Sequence, residues 1–197
     1  MKKLLPLFFF ALVSNQIHAT ILSFDDIPGG SLQDQYGHAP TYKGFNFSST
    51  LDWLDLEGSR WDYGASSGEF GLLNNRSGVG VITEVNGLDF TFDGLWAKKW
   101  ATGKESGGTD SLFGVLQGYN NNVLVWSIDT SLNGSYEYYA AQAGQIDELR
   151  LGFGNHFLVD DIALNEASAA TVSEPATVAM LGLVLAGLGF SRKRKLS

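Results

Sequence analysis

The sequence feature that most constrains the fold is a period of two in the hydrophobic pattern. In residues 88–93 (LDFTFD), apolar and polar residues alternate strictly, as expected for a strand with one buried face. The same period places Leu124, Trp126 and Ile128 on one face of another segment. Residues 20–166 show no convincing apolar stripe at the helical period, so we expect strands rather than helices in this region.

Similar short segments recur along the chain, at 21–24, 45–47, 79–83, 95–100, 112–117, 136–140, 149–153 and 157–164. Turn-forming Gly, Pro and Asn separate them, and Gly accounts for 24 of 197 residues, well above its usual share. About ten short strands bury their apolar faces most simply in two facing antiparallel sheets. We therefore predict an all-β fold for residues 20–166, a two-sheet β-sandwich of the jelly-roll type.

The first 19 residues have the pattern of a secretory signal peptide. Lys2 and Lys3 precede an apolar run, and a more polar stretch then leads to Ala19. Cleavage after Ala19 would leave Thr20 as the first residue of the mature protein. This pattern predicts export through the Sec translocon and processing by signal peptidase.

The last 24 residues combine an acidic motif, an apolar run and a basic end. A small, polar linker at 167–173 precedes Glu174 and Pro175, and an uncharged segment predicts a short transmembrane helix at 176–191. The basic tail, 192–197, would stay cytoplasmic and leave the body on the outer side of that membrane.

This tail resembles the PEP-CTERM sorting signal of Gram-negative bacteria, also called the ice-binding protein C-terminal domain. Ser173, Glu174 and Pro175 occupy the sorting motif, and Ser173 departs from the usual V-P-E-P pattern. The resemblance implies cleavage near this motif by an exosortase, after a transient stay in the inner membrane. The body would then reach the cell surface or an extracellular matrix containing exopolysaccharide.

The body carries a second resemblance, in short motifs at its two ends. It opens with Phe-Asp-Asp-Ile at 24–27 and closes with Asp-Asp-Ile at 160–162, preceded by a Leu-x-Leu-x-Phe-Gly segment at 149–154. This layout is similar to the jelly-roll ectodomains of PEP-CTERM proteins, which resemble galactose-binding-like and carbohydrate-binding modules. In such sandwiches the first and last strands often lie side by side.

Composition excludes several classes of function. Residues 20–172 contain 20 Asp and Glu but seven Lys and Arg, a net charge of −13, so the body lacks the basic surface that nucleic-acid binding requires. The chain has no Cys, which excludes disulfides, zinc–thiolate sites and Cys nucleophiles. After signal-peptide removal, His38 and His156 remain, and neither accompanies a G-x-S-x-G motif. We expect no enzymatic activity and assign no catalytic residue.

Two pairs of aspartates predict a structural calcium ion. Asp25 and Asp26 follow the first strand, and Asp160 and Asp161 lie in the last one. If these strands meet, four carboxylates converge, and calcium prefers such oxygen ligands. The alternative is that one Asp of each pair faces solvent while the other accepts hydrogen bonds from loop amides.

The aromatic residues of a turn-rich, acidic stretch at 50–71 predict a carbohydrate site. Trp53, Trp61 and Tyr63 could stack on sugar rings, while Asp52 and Asp55 could bind hydroxyl groups. The alternative is that these rings cover one end of the sandwich. We therefore expect a non-catalytic surface or matrix protein associated with polysaccharide; a structural matrix protein without a defined ligand and a glycoside-active enzyme are the alternatives.

Overall fold

The computed structural model describes residues 19–27, 36–57, 63–74, 76–100 and 112–166. These ranges contain twelve strands and no helix. The strands are β1 (Thr20–Leu22), β2 (Tyr36–His38), β3 (Phe45–Phe47), β4 (Leu51–Asp55), β5 (Phe70–Asn74), β6 (Gly80–Glu84), β7 (Phe90–Lys99), β8 (Leu112–Asn120), β9 (Val123–Leu132), β10 (Glu137–Ala140), β11 (Glu148–Gly152) and β12 (Phe157–Glu166).

The strands form two antiparallel sheets. The larger sheet has the order β10-β7-β12-β5-β4-β2, with β1 paired to β12, and the smaller sheet has the order β3-β6-β11-β8-β9. A single apolar core contains side chains from both sheets, including Phe45 of β3, Phe90 of β7 and Phe157 of β12, all fully buried. The structure thus confirms the predicted all-β, two-sheet sandwich, and the first and last strands do pair.

A bulge in the long strand β12 changes which residues face the core. Phe157 and Val159 point into the core on one side of the bulge, and Ile162 and Leu164 do so on the other. Asp161 has a φ of +47°, and the register against β7 shifts between Asp160 and Ala163. The extra residue restores core-facing positions after the bulge, as expected when one residue is inserted into a strand.

Strand β7 makes the same change of face at Gly94, where φ is +147°. Phe90 and Phe92 face the core before this residue, and Leu95 and Ala97 do so after it. Because the alternation is interrupted there, the sequence predicts two strands, at 88–93 and 95–100. In the structure it is one ten-residue strand.

The stretch at 50–71 differs most from the prediction. The sequence predicts a turn-rich stretch here, but the structure has all of β4 and the start of β5 in it. Every residue of β5 is buried, because one face of the larger sheet packs on the core and a second, smaller apolar cluster covers the other. That cluster contains Leu54, Leu73 and Leu158. A strand buried on both faces shows no alternation, so its sequence lacks the period-two signal.

The two predicted terminal segments, the signal peptide at 1–19 and the transmembrane helix at 176–191, lie outside the described residues except for Ala19. Within the described ranges, no helix has the length and apolar character that a membrane crossing needs.

Candidate functional site

Three of the four aspartates predicted to bind calcium converge on one loop. The described part of the β4–β5 loop, residues 63–69, lies against Asp25, Asp160 and Asp161. Asp25 Oδ1 accepts hydrogen bonds from the backbone N–H groups of Glu69 (2.8 Å) and Phe70 (3.1 Å). The fourth, Asp26, instead contacts Tyr42 and lies 3.4 Å from Lys43 Nζ.

Asp160 is the most deeply buried of these carboxyl groups, with no exposed surface. Its Oδ2 accepts the N–H groups of Ser66 (2.8 Å) and Ser67 (3.1 Å), and its Oδ1 accepts that of Asp161 (2.7 Å). Burial, followed by the neighbouring Asp161 charge, raises the pKa of the Asp160 carboxyl to about 8, although the three N–H groups act in the opposite direction. This contact therefore fixes the loop to the centre of β12.

One oxygen of Asp160 and one of Asp25 thus accept backbone N–H groups of the loop and of the first residue of β5. Ser67 Oγ also donates to Asp161 Oδ1 at 2.7 Å. In the described part of the chain, no group of three or more His, Cys, Asp or Glu side chains is arranged to hold a metal ion. Calcium binding at Asp25, Asp26, Asp160 and Asp161 stays a prediction.

The residues predicted to bind carbohydrate do not form an exposed aromatic platform in the described structure. Trp53 is half-buried and packs against the core, with its ring 5.7 Å from that of Phe70. Asp52 and Asp55 are buried. Tyr63 packs edge-on against Trp100 at 4.5 Å, in the apolar cluster on the outer face of the larger sheet. Trp61 lies outside the described residues.

Asp52 is unusual because both of its carboxylate oxygens are buried and have no hydrogen-bond partner among the residues that the structure describes. It lies opposite His38 on β2 and Leu73 on β5. The His38 imidazole contacts the Leu51 carbonyl through Nδ1 at 3.2 Å, so its hydrogen bond goes to the backbone of β4.

An open groove lies at one end of the smaller sheet, with a volume of about 410 Å³. Three chain segments form it: the end of β6 with the turn after it, the β8–β9 turn and the start of β11. Its lining is mostly polar and consists of Thr83, Glu84, Val85, Gly87, Asn121, Asn122, Asp147 and Glu148.

Glu84 holds the first wall of the groove in place. Its carboxylate accepts the backbone N–H groups of Asn86 (2.6 Å) and Leu88 (3.0 Å), so it closes the turn that follows β6. Desolvation raises the pKa of Glu84, but these hydrogen bonds together lower it below the usual range. The group is therefore charged at neutral pH.

The β8–β9 turn forms the second wall. Asn120 pairs with Val123, which leaves Asn121 and Asn122 as a two-residue hairpin loop with φ values of +49° and +62°. Asn tolerates this left-handed conformation better than most residues, and such turns match the twist of the strands. Asp147 fixes the turn, because its Oδ2 accepts the Asn121 N–H at 2.8 Å.

The polar surface continues from the groove along the outer face of the smaller sheet. The Arg150 guanidinium lies 3.8 Å from the Tyr119 ring centroid and pairs with the Glu148 carboxylate. Gln117 Nε2 donates to Ser127 Oγ at 3.3 Å. Hydrogen-bonding side chains and one aromatic ring thus lie beside the groove on a rigid sheet.

None of the predicted site residues that the structure describes lines this groove. The sequence contains a signal for it, the run Asn120-Asn121-Asn122, which predicts a turn between two strands. Asp147 and Glu148 gave no signal of their own, since single acidic residues before a strand are common in so acidic a chain.

Comparison with known proteins identifies the C-terminal segment. Residues 171–195 match the model of the PEP-CTERM protein-sorting motif, and they include Ser173, Glu174 and Pro175. The motif indicates an exported protein that is anchored transiently in a membrane and processed by an exosortase for the cell surface. No curated protein matches the chain.

Two of the solved structures to which this chain is similar are carbohydrate-binding modules. One is TmCBM61 in complex with beta-1,4-galactotriose, with 12% identity, a TM-score of 0.36 and coverage of 63% of this chain and 89% of that one. The other is the C-terminal family 22 carbohydrate binding module of Clostridium thermocellum Xyn10B, with 14% identity, a TM-score of 0.34 and coverage of 74% of this chain and 99% of that one.

The buried Asp160 carboxyl predicts a dependence of stability on pH. The pKa of the Asp160 carboxyl is about 8 in the folded state and about 3.9 in an unfolded chain. At a pH between these two values, the carboxyl keeps its proton in the folded state and has lost it in the unfolded state. Stability should therefore fall as pH rises through this window. Asp160→Asn, which cannot ionise, should flatten the dependence measured by urea unfolding.

Asp129→Asn, on the exposed part of β9, is the matched control and should leave the pH dependence unchanged. If Asp160→Asn instead kept the wild-type slope, burial of this carboxyl would not be the source of the dependence.

The calcium hypothesis predicts that the chelator-treated protein melts at a higher temperature in millimolar calcium. A ligand at a hundredfold excess over its Kd adds about 2.7 kcal/mol of stability. Magnesium, with its stricter geometry, should stabilise less, and Asp161→Asn should reduce the calcium effect. Equal melting temperatures with and without calcium would exclude a site, and the loop amides would be the partners of these carboxylates.

Proposed function

We propose that this exported protein is a non-catalytic component of the cell surface or extracellular matrix of a Gram-negative bacterium, and that its groove binds polysaccharide. Export would use the Sec translocon and signal peptidase, followed by the exosortase that the sorting motif requires. The observation that supports polysaccharide binding is the groove's set of amide, hydroxyl and carboxylate groups, held by turns at strand ends and backed by a sheet.

The groove suits a sugar chain because its polar groups are fixed before binding. Glu84 and Asp147 are bonded to backbone N–H groups, so they lose little conformational freedom when a ligand binds. Asn122 is exposed, and its amide can both donate to and accept from sugar hydroxyls. Groups of this kind, few and fixed in position, set the specificity of small-ligand sites.

The charge of the groove favours a neutral polysaccharide. The groove contains three acidic side chains, those of Glu84, Asp147 and Glu148. One basic side chain, Arg150, pairs with Glu148 beside it. The body as a whole is strongly acidic. A polymer rich in uronic acids would be repelled by this field, whereas a neutral polymer would not. Binding of a neutral polymer should therefore depend little on salt concentration.

Removal of one groove side chain should weaken polysaccharide binding. Asn122→Gly deletes the amide while keeping the left-handed conformation that the turn needs. Loss of hydrogen bonds worth about 1.4 kcal/mol corresponds to a tenfold weaker affinity. The measurement is affinity electrophoresis or calorimetry of the processed protein with the producing bacterium's neutral exopolysaccharide.

Ser77→Gly is the matched control, since Ser77 also has a positive φ, of +54°, in a turn at the other end of the same sheet. It should bind like the wild type. Equal affinities for Asn122→Gly and the wild type would place binding outside the groove. No binding to any glycan would favour a structural matrix protein, and release of new reducing ends would show a glycoside-active enzyme.

A further inference from the structure

Two exposed aromatic side chains lie side by side on the outer face of the larger sheet. Trp96 of β7 is directly opposite Tyr138 of β10 in the strand register. Trp96 is 37% exposed and Tyr138 is 52% exposed. Their ring centroids are 5.1 Å apart, and the ring planes are tilted by 49°. These two rings, the aromatic pair, therefore form one continuous apolar surface that is in contact with solvent.

The aromatic pair is held in position by its own sheet. The Tyr138 hydroxyl donates a hydrogen bond to the Asp93 carbonyl at 3.2 Å. Gly94 allows the ring to lie this close to β7, because a Cβ atom at this position would collide with the Tyr138 hydroxyl group. On the other side of Trp96, the fully buried Asp160 lies directly opposite it on β12. The two rings thus lose little conformational freedom when a ligand contacts them.

The exposed area of the aromatic pair suits a sugar better than a protein. An aromatic side chain has about 200 Å² of surface, so the exposed fractions of Trp96 and Tyr138 together leave roughly 200 Å² in contact with solvent. A stable protein interface needs about 800 Å² from each partner. The C–H face of a pyranose ring is similar in size to one aromatic ring. The aromatic pair can therefore stack against one or two sugar rings.

Hydrogen-bonding groups border the aromatic pair. Asp93, whose carbonyl holds Tyr138, accepts a hydrogen bond from Asn165 Nδ2 through its carboxylate. Asp161 lies in the bulge of the neighbouring strand β12, and its Oδ1 accepts Ser67 Oγ at 2.7 Å. Such acceptors can bind sugar hydroxyl groups, whereas their negative charge repels an anionic sugar. The surroundings therefore favour a neutral polysaccharide.

The aromatic pair and the groove lie on different sheets of the sandwich. The groove is formed by the smaller sheet and its turns. Phe90, at the start of β7, bonds to Ile146 beside the groove, and Trp96 lies six residues further along this strand. A strand rises about 3.3 Å per residue, so the two sites are about 20 Å apart along β7. A ligand of one or two sugar rings therefore contacts one site or the other.

We infer that the aromatic pair is a second binding site for neutral polysaccharide, and that the protein links two polymer strands by holding one at each site. The linking rests on the proposed function of the groove, whereas binding at the aromatic pair is independent of it. The aromatic pair has no enclosing walls among the described residues, so its affinity for a single sugar ring is lower than that of the groove. A long polymer with many identical units gains avidity when several protein molecules engage it.

A nuclear magnetic resonance titration tests binding at the aromatic pair alone. The indole N–H signal of Trp96, identified by its absence in Trp96→Phe, is followed while oligosaccharides of the producing bacterium's neutral exopolysaccharide are added to the processed protein. The signal should shift in a saturable manner, with the same local affinity in the wild type and in Asn122→Gly. Tyr138→Leu should weaken this affinity about tenfold, because it removes one of the two rings.

Tyr138→Phe is the matched control, because it keeps the ring and should keep most of the local affinity. Cross-strand aromatic neighbours also stabilise strand pairing, so the fold of each variant is checked by circular dichroism and urea unfolding. If Tyr138→Leu does not fold, Trp96→Leu provides the same test at the other ring, with Trp96→Phe as its control.

Light scattering measures the linking of polymer strands. The wild-type protein should increase the scattering of a solution of the neutral exopolysaccharide. Trp96→Leu and Asn122→Gly should each lose most of this increase, because each variant weakens one of the two sites. Phe113→Leu is the control, since Phe113 is 74% exposed on the smaller sheet and lies outside both sites. It should scatter like the wild type.

The outcomes separate this inference from the proposed function. If the Trp96 signal does not titrate, or if Tyr138→Phe loses as much affinity as Tyr138→Leu, the inference is refuted, and weaker binding by Asn122→Gly would still support the groove. If the signal titrates but Trp96→Leu scatters like the wild type, the linking is refuted.

Two further results would also overturn the inference or part of it. If the wild type forms a dimer without sugar and Trp96→Leu abolishes it, the aromatic pair is a contact between protein copies and the inference fails. If Asn122→Gly keeps full binding and scattering while Trp96→Leu loses both, the proposed function of the groove fails, and the linking fails with it.

Discussion

The bulge between Asp160 and Ala163 in β12 determines how the rest of the larger sheet is arranged. Because side chains alternate along a strand, a regular ten-residue strand would turn Ile162 and Leu164 away from the core. The extra residue returns them to it, and it coincides with the place where β12 exchanges one neighbour, β5, for another, β1. Asp160, just before the bulge, lies on the outer face like Leu158, and its carboxyl accepts hydrogen bonds from the β4–β5 loop.

That loop gives the larger sheet a second buried face. Lys98 Nζ donates to the Tyr63 carbonyl, and the Tyr136 hydroxyl donates to that of Gly64 at 3.1 Å. Together with Asp160, these contacts hold the loop over Leu73 and the rest of the outer cluster. The larger sheet is thus covered on its outer side in this region, whereas the outer face of the smaller sheet keeps its polar side chains at the surface. The candidate groove is on the smaller sheet.

The sequence predicted most of the fold because most strands have one exposed face. Phe45–Phe47 was predicted with its observed bounds, and β6, β11 and β12 were predicted to within a few residues. β4 and β5 were missed because their residues are buried on both faces. The surroundings of the predicted carbohydrate-binding residues were harder to predict. Asp52, Trp53 and Asp55 lie in β4, where both carboxylates are buried and the indole packs against the core. The groove is assembled from Glu84, Asn122 and Asp147, which are far apart in the sequence and meet through strand pairing.

The groove at one end of the smaller sheet is the proposed binding site for a neutral polysaccharide. The most direct measurement is a nuclear magnetic resonance titration of the processed, nitrogen-15-labelled protein with oligosaccharides of the producing bacterium's neutral exopolysaccharide. The account predicts that the largest shift changes occur at the backbone amides of Thr83, Asn121, Asn122 and Asp147. Changes centred instead on Tyr63 and Ala65, with the groove amides unaffected, would contradict it.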